Sequence, residues 1–217
     1  MSIIKPVNDF LDKDIQDDLL KVIEKAYNEV LELLPGLPDT LGVYFDNGDL
    51  IPELGVGACA WDPETLTIGF DLKFKGDKVE QIKELKHAIF HEAYHLAHGW
   101  TIELNKAIGD RHGLAIEQAF YEGCAIVFER DYSGAKDIIG NYSKLENIEE
   151  LFAELNSLQE DYDVNAWKFW HKEKRERWLL YRVGTWMIDE YLKKNKDKTI
   201  LDLLKLKPED VIKDLEK

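Results

Sequence analysis

From Asp12 to Leu34 the apolar residues Ile15, Leu19, Val22, Ile23, Ala26, Val30 and Leu33 return at helical spacing, and Pro35 and Pro38 in PGLP end the run. The period then changes. LGVYF (41–45) is a short β-type run, and GVGACAW and TLTIGFDL flank Asp62-Pro63-Glu64 in the manner of a hairpin with proline at its turn. These stretches predict a small, mostly antiparallel sheet in the N-terminal half. Asp77 followed by Glu80 has the form of a capping box, and Gly99 is placed to close the helix it opens, a span of about 20 residues or ~30 Å. After Gly109 and Gly113, AIEQAFYEGCAIVFERDY predicts a second helix. The remainder is helical in pattern, with breaks near SGAK and NKDK, and with Pro208 where it can start a last short helix. NAWKFWHKEKRERW, with aromatics and bases at mixed spacing, predicts an amphipathic helix that packs its tryptophans. The expected fold class is α+β: mostly helical, with a small antiparallel sheet packed on the helix that follows it.

Composition narrows the function classes. A chain of 217 residues with 45% hydrophobic content suits one substantial core, so a single domain over 1–217 is expected. The 28 Lys plus Arg against 43 Asp plus Glu give a formal charge of −15, which repels phosphate backbones and anionic lipid at long range. Neither nucleic acid nor membrane is an expected partner. The acidic clusters DKDIQDD and ENIEELFAEL read as solvated helix faces. Two cysteines, Cys59 and Cys124, are too few for a disulfide framework and read as buried reduced thiols. MSIIKPVNDFLDKDIQDD lacks a sustained apolar run, so neither a signal peptide nor a membrane anchor is expected, and the cytoplasm is the expected location.

The stretch HAIFHEAYHLAHGW (87–100) changes the picture most. His91 and His95 are four apart, so on a helix they stand one turn above the other and their imidazoles can converge on one ion. Glu92 can face the ion's open position. This H-E-x-x-H arrangement joins two neutral ligands to a carboxylate that takes a proton from water, with Zn2+ as the Lewis acid that activates the water and polarises a carbonyl. The flanking AIF, AY and LA are small or apolar, which places the polar trio on a packed face. His98 and His87 lie a turn out on either side. Three histidines over two turns of a straight helix span ~10 Å, too far for one ion, so both are expected in supporting or structural roles. In the variant with a third histidine downstream, H-E-x-x-H-x-x-G-x-x-H, the corresponding positions here are His98 and Thr101, which excludes that class.

A third ligand must come from elsewhere, and the next helix offers Glu117, Glu122 and Glu129. Glu129 precedes Arg130 and Asp131 at a polar end and is expected to be solvated. Glu122 is flanked at helical spacing by Ala115, Ala119, Ala125 and Ile126, so it leaves a face otherwise suited to burial, and a buried carboxylate needs a partner. Gly123 beside it removes a side chain where two helices come close. Glu122 is the expected ligand and Glu117 the reserve.

HEAYH followed one helix later by YEGCA resembles the gluzincin zinc metallopeptidases, in which H-E-x-x-H supplies two ligands and the Glu of a downstream E-G-x-A the third. The short chain and the hairpin-before-helix order are most similar to the bacterial "predicted Zn-dependent protease" families. The resemblance covers mainly residues 55–130, with a weaker echo at YRVGTWMIDEYL (181–192). It implies a zincin-like domain in which His91, His95 and Glu122 bind zinc and Glu92 acts as general base. It also implies that GVGACAW or TLTIGF, as the sheet edge, pairs with an extended peptide substrate. Tyr181 is the candidate oxyanion donor, with His171 and Tyr191 as alternatives, against the bland reading of Tyr181 as a core tyrosine. Some gluzincins carry an Asp four residues after the ligand Glu. Here that position is Ile126, so support for the ligands must come from elsewhere. The competing expectation is a binding protein that keeps the zinc site and captures a peptide without turnover. Substrate identity, internal or terminal cleavage, and oligomeric state are left open by the sequence.

Overall fold

The computed structural model describes residues 2–48, 50–103, 115–136, 138–158 and 162–216. By its internal contacts the chain forms two units, Met1–Gly109 with Tyr132–Ala135, and Asp110–Asp131 with Lys136–Lys217.

In the first unit, strand β1 (Ile3–Pro6) leads into helix α1 (Lys13–Leu33), whose buried face carries Leu19, Ile23, Ala26, Tyr27 and Val30 at the predicted spacing. The Tyr27 hydroxyl donates to the carbonyl of Pro38 at 2.9 Å and ties the helix to the turn that ends it. Strands β2 (Thr40–Asp46), β3 (Val56–Asp62) and β4 (Thr65–Phe70) follow, then helix α2 (Lys78–His98). The β3–β4 turn falls at Pro63-Glu64, where Asp62 accepts from the Glu64 amide at 2.8 Å. The sheet order is β1-β2-β4-β3.

The α+β class is as expected, but the sheet is mixed and not antiparallel. β1 pairs parallel with β2 and β2 parallel with β4; only β3 and β4 are antiparallel. Connectivity explains the difference: α1 is a crossover that returns the chain in the direction of β1, and the hairpin inserts β4 beside β2, leaving β3 at the edge. β1 has four residues, partly exposed, with no alternation to announce it. Leu41, Val43 and Phe45 of β2 are fully buried while Tyr44 faces out, the period-2 pattern of a one-sided sheet. Helix α2 packs on β3 and on α1. Its start is pinned by Gln81, fully buried, whose amide donates to the carbonyls of Gly55 and Asp71 at 2.8 and 2.9 Å.

The second unit is mainly helical: α3 (Ala115–Ser133), which belongs to it up to Asp131, α4 (Ile148–Ser157), α5 (Val164–Lys168), a two-strand hairpin of β5 (Trp170–His171) and β6 (Glu176–Arg177), α6 (Leu179–Lys194), a 3-10 turn (Ile200–Lys205) and α7 (Pro208–Leu215), with Pro208 in its first turn. The aromatic and basic stretch NAWKFWHKEKRERW is therefore not one amphipathic helix. It is a five-residue helix followed by a hairpin. Left-handed backbone at Arg175 (φ 54°) and Trp178 (φ 57°) interrupts any continuous helix, and only some of its aromatics pack: Trp167 is buried while Phe169 and Trp170 are more than half exposed. The Arg130 guanidinium grips Asp189 with two hydrogen bonds of 3.0 and 2.8 Å, and the Tyr142 hydroxyl donates to the same carboxylate at 2.9 Å. Among the described residues no helix is long and apolar enough to cross a membrane.

Candidate metal centre

Helix α2 is held at both ends. Asp77 accepts from the amides of Val79 and Glu80, and Gly99, at φ 71°, closes a Schellman motif in which Trp100 N–H bonds the His95 carbonyl at 2.9 Å and Gly99 N–H the Leu96 carbonyl at 3.1 Å. The last turn, which carries His95, is thereby fixed. His95 is buried and His91 partly so; their Nε2 atoms are 3.1 Å apart and their rings meet edge to face at 4.8 Å. Two Zn–N bonds of about 2.0–2.1 Å at a tetrahedral angle would set the nitrogens ~3.3 Å apart, so the pair is spaced to share one ion without rearrangement.

Glu92 is also buried, and its Oε2 accepts from the Ala60 amide of β3 at 2.7 Å. That bond fixes the carboxylate against the outer edge of the sheet. Of the two strands considered for peptide pairing, β4 lies between β2 and β3 and is excluded by its position. β3 is the edge. The other two histidines of the stretch have structural company: His87 Nδ1 is 3.5 Å from Glu84, and His98, the last residue of α2, sets its ring edge-on to Tyr94 at 5.2 Å.

In the second unit Glu122 is 7% exposed on α3. The close approach foreseen from Gly123 is made with Gly184 of α6: a Cβ on Gly123 would collide with the Gly184 carbonyl, and one on Gly184 with the Ala119 carbonyl. Glu117, half-buried in the first turn of α3, and Glu129, half-buried near its end, lie on other turns. Ile126 is buried among apolar neighbours. What meets Glu122 in this unit is Lys168, the last residue of α5, whose ammonium is 3.1 Å from Oε1. The same ammonium lies 5.9 Å from the centre of the Tyr181 ring. Burial works against the lysine's charge, but Tyr181, Glu122 and Tyr162 outweigh it and hold the ammonium above the ordinary lysine range. Burial likewise pushes the Tyr162 hydroxyl up to about 12, against the opposing pull of Lys168 and Gln118.

Tyr181 thus shares Lys168 with Glu122, whereas Tyr191 sits ten residues further along α6, ~15 Å away. His171 on β5 turns its ring edge-on to Trp167 and accepts from the Lys174 amide at 3.4 Å. Among the three oxyanion candidates Tyr181 alone keeps company with the expected ligand. Lys168 was missed by sequence reasoning. The signal available for it was a lone cation between Trp167 and Phe169, a setting in which a lysine is worth asking about.

Comparison with protein-family models, with curated proteins and with solved structures finds no match to this chain. What it does has to be read from its own chemistry.

Proposed function

We propose that this protein is a zinc-dependent peptidase of gluzincin type, in which His91, His95 and Glu122 hold the ion and Glu92 is the general base. The observation that carries the proposal is the convergence of the His91 and His95 Nε2 atoms, 3.1 Å apart, beside a buried Glu92 on the same helix. When bound, zinc supplies the Lewis acid that polarises the scissile carbonyl and makes water nucleophilic near neutral pH. Glu92 takes the proton of the attacking water on the oxygen not engaged by Ala60 and passes it to the leaving amine. Tyr181, whose ring lies beside the ammonium of Lys168, donates to the developing oxyanion. An extended peptide adds to the edge of β3, whose Ala60 amide already points outward at Glu92.

Peptides or proteins are the substrates in this reading, and the cytoplasm the location. The two cysteines support the latter, since both are thiols and no disulfide joins them. The test is a metal analysis paired with digestion of a peptide library by wild type and by Glu92→Gln. Stoichiometric zinc with cleavage that Glu92→Gln abolishes is the expected result. Cleavage indifferent to Glu92→Gln, or a purified protein that takes up no zinc, sinks the proposal. Zinc binding with peptides retained intact by both forms assigns the protein instead to capture without turnover.

A further inference from the structure

The Lys168 ammonium is fixed by Glu122 and partly open to solvent. Its side chain is 26% exposed, and among the described residues Glu122 is the one carboxylate that faces it; its other polar neighbours are the phenol rings of Tyr181 and Tyr162. A lysine so placed needs a full counter-ion. If Glu122 ligates zinc, as proposed above, its single negative charge is shared between a divalent ion and an ammonium, and the centre carries a surplus of positive charge. The Tyr162 phenol, pushed up to about 12, is neutral at working pH and does not supply the missing anion.

We infer that Lys168 is an anchor for a substrate carboxylate, so that the protein selects peptides presenting an anionic group next to the reacting bond. The inference rests on the zinc reading and adds the class of substrate. Two sources carry the same chemistry, a free C-terminus and an Asp or Glu side chain. A C-terminal anchor makes the activity one that trims chain ends; a side-chain anchor makes it one that cuts beside acidic residues. The overall charge of −15 makes such a local cation the more necessary, because the rest of the protein repels an acidic peptide.

The experiment uses the full-length, zinc-loaded Glu92→Gln protein, so that binding is read without turnover. It is offered an equal mixture of randomised hexapeptides ending in a free carboxylate and in an amide, and the bound fraction is read by mass spectrometry. At least tenfold enrichment of free acids over amides identifies the terminal carboxylate. Enrichment of Asp and Glu in both sets identifies the side chain. Either enrichment disappears in Lys168→Met and survives in Lys168→Arg. Lys168→Gln replaces the Met variant if circular dichroism shows that variant unfolded. No enrichment, or enrichment that persists without the lysine charge, overturns the anchor. Zinc content measured on the same samples separates the two readings: zinc bound without carboxylate selection overturns this inference alone, and absence of zinc from wild type overturns both.

Discussion

In the first unit, His91, Glu92 and His95 lie within five residues on one helix capped at both ends; in the second, Glu122, Lys168 and Tyr181 come from α3, α5 and α6, with Glu122 and Lys168 46 residues apart in sequence. A one-turn helical spacing fixes the histidine pair as soon as α2 forms. The second cluster exists only after loop closure and helix packing have been achieved, and it depends on Gly123 meeting Gly184. One half of the proposed chemistry is written in local geometry and the other in packing. Damage to the two should look different.

The largest effect tests that contrast directly. Each of His95→Ala and Glu122→Ala removes a proposed ligand and should lower the proposed zinc-dependent hydrolysis by more than about a hundredfold. Their metal-free stabilities should diverge. His95→Ala leaves the Schellman closure intact, because that closure uses the His95 carbonyl. Glu122→Ala strands the Lys168 ammonium and should cost about 2–3 kcal/mol, a partly exposed version of breaking a buried pair. Thermal melts in chelator read the difference. Equal melting points for the two variants would show that Lys168 does not depend on Glu122.

Glycine substitutions sharpen the same comparison. Gly184→Ala places a methyl against the Ala119 carbonyl and should destabilise by about 3 kcal/mol, with loss of activity as α3 and α6 part. Gly99→Ala has open space around it and meets only the penalty of left-handed backbone, about 1 kcal/mol. Denaturant unfolding of both variants gives the ratio. A Gly184→Ala protein as stable as Gly99→Ala would remove the helix crossing from the account.

Alkaline pH probes the second unit through Tyr162. Its folded pKa, pushed up to about 12, exceeds that of an unfolded tyrosine, so the unfolded chain loses the proton first. Stability is therefore whole below about pH 10 and declines as pH rises toward 12, by about 2 kcal/mol from this group. Tyr162→Phe should flatten that slope in urea melts taken between pH 9 and 11.

The same division explains what the sequence disclosed. Helix α2, its cap at Asp77, its closure at Gly99 and the histidine pair were all legible, because each depends on residues within one or two turns. Glu122 was legible as a carboxylate on an otherwise apolar face, and burial confirms that face. The direction of β2 was not, since strand sense depends on a crossover and not on alternation. The hairpin β5–β6 was hidden because aromatic and basic residues at mixed spacing satisfy helix and strand templates equally until Arg175 and Trp178 adopt left-handed backbone. Lys168 was hidden for a different reason: only the folded second unit shows that a cation meets Glu122 and Tyr181.

The smallest predicted effect bears on how tightly the first unit isolates its chemistry from its own ends. Asp77→Ala removes the acceptor for the Val79 and Glu80 amides and should cost about 1 kcal/mol. The loss falls at the start of α2, fourteen residues before His91, so fraying there must travel the helix to reach the proposed zinc ligands. The Gln81 amide on the carbonyls of Gly55 and Asp71 stands in its way, and beyond His91 the Glu92 carboxylate on the Ala60 amide and the Schellman closure at Gly99 hold the rest of the helix. Asp77→Ala should therefore lower the melting temperature by a few degrees while zinc affinity, measured by chelator competition, stays at the wild-type value. A fall in zinc affinity that tracks the loss of stability would mean that α2 responds as one cooperative rod, and that its cap belongs to the metal centre as much as its histidines do.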